Sequence, residues 1–469
     1  MKSAAYLRGL ACTALVLMAS RAAAESPANA ERHDMQLVGY HDLQGRSAYQ
    51  PVIQRQGTRW IAYIGHHGGR ERNDLTRADE DSGTSILDVT DPKQPKLLSH
   101  IPGEAGAAEG GGAQMVRVCD GATLPRADKQ KVYLLRTFGN SAHEVWDVTD
   151  PARPSRVSTV VNGLHGTHKN WWECDTGIAY LVSGDPAWRV RRMTKIYDLS
   201  DPAHPVFIRD FGLVGQQPGA TGEVPTELHG PISLGPKGNR VYFGYGAGRG
   251  GILQIVDRET LLKGAAVPTP ENLRSPEIGR LELPPNLGAH TTFPLLQVKI
   301  PEFSHDQDNV RDFVVITNES LTDGCQEGRQ MVWIADVTVE SKPFTVANWT
   351  VPEASGHFCS RGGRFGTHSS NESFAPVYHR RLMFFAHFNA GVRAVDVRDP
   401  YHPKEVAYYI PATTERTAKR CGASGCKAVI QTNNVEVDER GYIYIVDRAG
   451  TGLHILELTG EARKIAQMP

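Results

Sequence analysis

Four histidines stand in closely similar local settings: His168 in GTHKNWW, His229 in ELHGPIS, His290 in GAHTTFP and His368 in GTHSSNE. Neutral imidazole is a good ligand for zinc, copper, iron and nickel, and a carboxylate is a common companion. Imidazoles gathered at one place would suit a transition-metal ion. Copper is the first expectation from the general affinity order, with zinc or iron as alternatives. Glu319 in ITNES, His387 in FFAHFNAG and the pair His66 and His67 in YIGHHGG are further candidate donors. Zinc–nitrogen bonds are only ~2.0–2.1 Å long, so two or three of these side chains would ligate while the rest touch water or substrate. Whether they meet depends on the elements that carry them.

Those elements repeat. An apolar run, an acid and a turn recur as SILDVTDPKQP, EVWDVTDPARP, KIYDLSDPAHP and RAVDVRDPYHP, with degenerate copies in LQIVDRET, VWIADVTVESKP and LHILELTG. Anchored on Asp88, Asp147, Asp198, Asp257, Asp336, Asp396 and Glu457, the units are spaced by 59, 51, 59, 79, 60 and 61 residues. A period of this kind marks a repeat array. An apolar run precedes each phrase (RWIAYIG, KVYLLRT, GIAYLVSG) and a shorter one follows it (KLLSHI, SRVSTVV, VFIRDF). Rich in Val, Ile, Tyr and Phe and bounded by Gly, Asp and Pro, these runs read as strands. Proline fixes φ and lacks a donor, which assigns DPxxP to the turn between third and fourth strands. Four strands per unit, repeated seven times, predict an all-β fold: a seven-bladed β-propeller of four-stranded antiparallel blades, with an open solenoid as the alternative. The segment HDMQLVGYHDL at 33–43 reads as an outer strand that completes the last blade and clasps the ring.

In such a blade the start of the innermost strand and the end of the second share one rim. The four histidines fall at the first of these positions in consecutive units. Glu319, His387 and the pair His66 and His67 fall at the second. The first two units carry SAYQ and GGAQ at the histidine position, and the last carries Asn433 and Asn434. His33, His100, His143, His204, His305, His379, His402 and His454 show no such convergence. Arginines are clustered on the same rim: Arg70, Arg72, Arg189, Arg191, Arg192, Arg249, Arg361 and Arg364. Guanidinium groups grip carboxylates and phosphates bidentately, so Arg189, Arg191, Arg192 and Arg364, with Asn434, are the candidate substrate-binding residues.

The acid-containing strand followed by DPxxP resembles the LVIVD-repeat propellers over roughly residues 36–460, and is clearest in the four DPxxP units. That resemblance implies an exported bacterial β-propeller from a family largely without assigned activity. A looser similarity is to propellers that hold copper on histidines at one end of the channel, such as nitrous oxide reductase and the selenium-binding-protein and methanethiol-oxidase group.

The first residues read as a secretory leader. Lys2 and Arg8 precede a short apolar stretch, and Ala22 to Ala24 offer a small-residue cleavage site. The stretch is too short for a transmembrane segment, which needs about 20 apolar residues. The expectation is a leader over 1–24 and a single propeller domain over 25–469, periplasmic or secreted. Loss of Cys12 with the leader leaves six cysteines for an oxidising compartment. Position within the repeat pairs Cys119 with Cys174 and Cys325 with Cys359, and Cys421 closes a local loop with Cys426. With 51 Lys and Arg against 52 Asp and Glu, no global field favours nucleic acid or an anionic membrane. There is no HExxH, CxxC or GxSxG, and GYGAGRGG precedes a strand rather than a helix, which excludes a phosphate-binding loop. Three functions fit: a metal-binding propeller, with oxidoreductase action on a small molecule as the expected activity; a non-enzymatic scaffold with an envelope partner at the histidine rim; and a hydrolase of an anionic substrate.

Overall fold

The computed structural model describes Met1 and residues 30–300, 309–422 and 425–467. Apart from Met1, the expected leader lies outside the described residues, as do Cys12 and His305. Seven antiparallel sheets follow one another along the chain. In the first six, the four blade strands run from inner to outer in sequence order, while the seventh takes its outer strand from the N-terminal part of the chain. The first blade comprises Ala48–Gln56, Arg59–Gly68, Thr84–Asp88 and Lys96–Ile101. The inner strands of blades two to seven are Val116–Asp120, Asn170–Trp172, Leu228–Ser233, Thr291–Lys299, Ser369–Ser370 and Thr432–Val437. Each inner strand packs beside the next, and that of blade seven packs beside that of blade one. The ring is therefore closed, and the fold is a seven-bladed β-propeller rather than an open solenoid.

Closure uses the N-terminal strand. Met35–His41 pairs with Leu453–Leu458 as the outer strand of blade seven, from Met35 opposite Leu458 to His41 opposite Leu453. A preceding strand, Glu31–His33, adds a fifth strand to blade six. The clasp packs tightly on blade one, and a Cβ on Gly39 would lie 1.9 Å from the Pro92 carbonyl oxygen. Gly39→Val is therefore expected to destabilise the fold by about 2–3 kcal/mol, because backbone cannot yield as a flexible side chain does. A lower denaturant midpoint at unchanged m-value would report it.

The acid of the repeat has a structural task. It ends the third strand, and its carboxylate accepts the amide two residues on: Asp88 from Thr90 at 2.9 Å, Asp147 from Thr149 at 3.0 Å, Asp198 from Ser200 at 2.7 Å and Asp396 from Arg398 at 3.0 Å. The Asp before each proline repeats the device, with Asp91, Asp150, Asp201 and Asp399 each accepting an amide at 3.0 Å. Two successive Asx turns thus swing the chain to the outer strand. Asp257 instead caps the helix Arg258–Lys263. That helix and a second, Pro270–Arg274, fall within the longest repeat spacing.

The core lies between blades. Ile61, Tyr63 and Ile86 of blade one meet Val116 and Leu134 of blade two. Phe384 and Val392 of blade six meet Val435 and Leu456 of blade seven. Three disulfides brace the loops: Cys119–Cys174 between blades two and three, Cys325–Cys359, and Cys421–Cys426 in a hairpin. The first two pairings match the expectation from the repeat, and the third matches the local loop expected from its spacing. Among the described residues no helix is long and apolar enough to cross a membrane.

Candidate metal centre

The histidine register is fixed by backbone hydrogen bonds to the end of the second strand. His168 donates to the Val182 carbonyl at 3.1 Å, His290 to Thr317 at 2.9 Å and His368 to Ala386 at 3.0 Å. His229 sits where the register shifts between Leu228 and Gly230. A bulge re-aims a side chain, and the same irregularity spans Tyr49 in blade one, between Ala48 and Pro51.

These positions bring five rings into a closed circle on the channel axis. Ring centroids are 4.6 Å apart for His168 and His229, 3.8 Å for His229 and His290, and 4.4 Å for His290 and His368. Tyr49 closes the circle, 5.6 Å from His368 and 5.3 Å from His168. The nitrogens turn inward. His168 Nε2 lies 3.0 Å from His229 Nε2, and the Tyr49 hydroxyl lies 3.1 Å from His168 Nε2 and 3.4 Å from His290 Nε2. Glu319 extends into the same space, with carboxylate oxygens 3.7 Å from His368 Nε2 and 4.0 Å from His229 Nε2. Donor atoms of His229, His290 and Glu319 all lie within 4.8 Å of one another, a buried group that could hold a metal ion.

Tautomers follow from the outer hydrogen bonds. His229 Nδ1 is 2.9 Å from the His290 carbonyl, and His368 Nδ1 bonds the Asn433 carbonyl. A carbonyl only accepts, so both Nδ1 atoms carry the proton and both Nε2 atoms present lone pairs to the axis. Burial, foremost, holds all four imidazoles well below the usual histidine range. Arg192 adds to this at His168, Lys169 at His229, the neighbouring histidines at His290, and Arg448 at His368. They are neutral at physiological pH. Burial also raises Glu319, against the lowering effect of Arg364, and drives the Tyr49 phenol well above its ordinary value. Further along the inner strands, Lys169 and Arg117 both pair with the buried Glu372.

Tyr49, His168, His229 and His368 of the circle, with Glu319, form the floor of a cavity of about 840 Å³ that also takes in Glu109, Arg191, Arg192, Arg249 and Arg364. The other expected donors are placed differently. His67 stands behind Tyr49, with Nδ1 3.0 Å from Ser47 Oγ and Nε2 3.3 Å from Glu109. His66 and His387 are not brought to the circle. His66 turns to Ser85 at 2.8 Å, since adjacent residues of a strand face opposite ways. His387 is buried against Trp349 and Phe365. Among the candidate substrate residues, Arg192 and Arg364 face the cavity, while Arg191 there pairs with Glu227 at 2.7 Å. Arg189 is spent on the carbonyls of Gly215 and Gly222, and Asn434 lies buried 2.9 Å from Gln50.

Two site residues were not singled out from the sequence. Tyr49 occupies the histidine position of blade one, within SAYQ, so its register was the available signal. Glu109 lies on Ala108–Ala113, an extra strand that pairs with the end of the second strand of blade one. It stands outside the repeat, and no periodic signal points to it.

No protein-family model matches the chain, and no curated protein matches it. Among solved structures, the crystal structure of Sqt1 from Chaetomium thermophilum is similar at 12% identity with a TM-score of 0.49, covering 90% of this chain and 99% of that one. No residue role is carried over from it.

Proposed function

We propose that this chain is an exported propeller of the LVIVD-repeat type. In this reading it binds a transition-metal ion, copper before zinc or iron, and acts as an oxidoreductase on a small molecule. The observation that carries the reading is the excess of lone pairs over protons at the axis. His229 and His368 both present bare Nε2 atoms, Glu319 adds a carboxylate that takes one hydrogen bond from Arg364, and for the facing nitrogens the Tyr49 hydroxyl and the remaining imidazole protons are at hand among the described residues. Buried acceptors facing acceptors are costly, and a cation relieves them. Two donors on one ion at ~2.0–2.1 Å lie roughly 2.9–3.4 Å apart, and the 3.0 Å between His168 and His229 nitrogens agrees with that span. Imidazoles that are neutral without proton loss favour binding further.

His229 and His290 would hold the ion, with Glu319 as the anionic donor, while His168 and His368 stand beside it in the circle, either as a further ligand or towards water and substrate. A bound ion would supply Lewis acidity or accept an electron. The chain itself contributes orientation, through the carbonyls that lock His229 and His368. It also contributes a proton, on the Tyr49 hydroxyl between His168 and His290. The disulfides and the absence of a membrane-crossing helix among the described residues are compatible with export.

Metal analysis tests this directly. Protein purified from an oxidising compartment is expected to carry stoichiometric metal. Joint replacement of His168, His229, His290 and His368 by Ala should reduce it to roughly background, because each lost ligand removes a large part of the affinity. Full occupancy after all four replacements would overturn the reading.

A further inference from the structure

Arg192 is a buried cation without a hydrogen-bond partner among the described residues. Its side chain is 6% exposed, and its nearest acid, Glu109, is 4.0 Å away. Its Nε is buried and unpartnered, and the terminal nitrogens make no hydrogen bond among the described residues. Arg189 and Arg191, its neighbours in sequence, are both satisfied. The buried Nε–H left unmade is expensive, and the terminal nitrogens of this cavity-lining guanidinium keep their donors free for a ligand. Arg364, in the same cavity lining, is partly committed. Its Nη1 lies 3.2 Å from Glu319 and 3.3 Å from the Ser320 carbonyl, but its Nε is buried without a partner.

The charge balance points the same way. Arg191, Arg192, Arg249 and Arg364 line the cavity against Glu109, Glu223, Glu227 and Glu319, and Arg448, just outside that lining, adds a further cation and already holds Glu109 at 3.2 Å. An ion on the histidines would add more positive charge. The space is too large for an inorganic anion alone, at about 840 Å³, and its wall includes Val224 and Leu321. These are two of the few large apolar side chains left in water, at 42% and 41% exposure. Pockets of this size with an apolar wall and a few convergent polar groups suit organic ligands.

We propose that the cavity takes an organic carboxylate, whose carboxylate group pairs with Arg192 and Arg364 while its apolar body lies against Val224 and Leu321. This names the substrate class of the proposed metal centre. It rests on that reading only for what happens at the far end of the ligand.

Calorimetric titration with benzoate, benzamide and inorganic phosphate, on protein whose metal content is measured in parallel, separates the possibilities. Benzoate is expected to bind at least tenfold more tightly than neutral benzamide or phosphate, as loss of a charged hydrogen-bond pair costs roughly ten- to a hundredfold. Arg192→Gln should lose that advantage with metal content unchanged. Leu321→Glu, at an exposed position where folding is not at stake, should also weaken benzoate by placing an acid at the mouth. Equal binding of benzamide, or benzoate binding unaltered in both variants, would overturn the proposal even in fully metallated protein. Phosphate binding as tightly as benzoate would overturn the organic ligand in favour of an inorganic oxyanion. If benzoate binds and Arg192→Gln abolishes it in protein without metal, the carboxylate site stands and the metal reading fails.

Discussion

Replacing Glu372 by Ala is expected to destabilise the folded chain by about 3–5 kcal/mol, the usual cost of stripping one partner from a buried ion pair. Glu372 is 2% exposed and pairs with Lys169 at 3% and Arg117 at 12%, so its loss leaves two cations in the channel with little water to replace it. Burial alone would raise the Glu372 carboxyl, yet Lys169 and Arg117 together draw it down to about 2. A carboxyl depressed from its unfolded value contributes stability that is present above that value and is lost as pH falls through the folded one. The contribution should therefore be complete above roughly pH 4.5 and vanish toward pH 2, about 3 kcal/mol in all. Chemical denaturation of wild type and Glu372→Ala at pH 7 and pH 3 checks it, because the gap between the two must narrow in acid.

Glu436 modulates this outcome. Burial, chiefly, and then the charge of Glu372 raise its carboxyl to about 7, while its oxygens accept the amides of Glu372 at 3.2 Å, Ser373 at 3.1 Å and Val437 at 2.9 Å. Without Glu372 the second carboxyl ionises more readily and offsets part of the exposed positive charge. The single variant thus belongs at the lower end of the expected range, and adding Glu436→Gln should move it upward. A gap that stays constant from pH 7 to pH 3 would show that the pair contributes no such linkage.

The propeller was legible because each turn must reverse the chain with the same chemistry. Asp88, Asp147, Asp198 and Asp396 have short carboxylates that cap the second following amide, and that local demand survives where side chains in the strands drift. The four histidines were legible for a related reason: a strand start hydrogen-bonded to the next strand is a repeated place. What escaped was direction. Adjacent His66 and His67 share a rim in the sequence but face opposite sides of their strand, so one meets Ser85 and the other Glu109. His387 falls at a rim position yet its ring is drawn into packing with Trp349 and Phe365. Tyr49 was hidden by its residue type rather than its place, since a phenol stands where the repeat suggested imidazole. Glu109 comes from a strand that belongs to no repeat.

If the axial circle is a metal site, metal must act as a folding ligand, and the effect should be large. Zn(II) is the suitable probe because it changes no oxidation state. Added to stripped protein at free concentrations a thousandfold above its dissociation constant, it is expected to raise the unfolding free energy by about 4 kcal/mol, provided that it does not bind the unfolded chain. The source is the relief of facing lone pairs on His229, His368 and Glu319, which the metal-free fold tolerates only through the strand framework around them. That framework does not depend on the imidazoles. The His290 amide still reaches the Thr317 carbonyl at 2.9 Å whatever side chain it bears. A His229→Ala, His290→Ala double variant should therefore fold, lose most of the Zn(II)-dependent gain, and fall below wild type by no more than the four lost ring hydrogen bonds, about 4 kcal/mol. A double variant that keeps the full gain would place the ion elsewhere. A wild type that gains nothing would mean that the circle is satisfied by protons alone, with His168 donating to His229 and Tyr49 to His290.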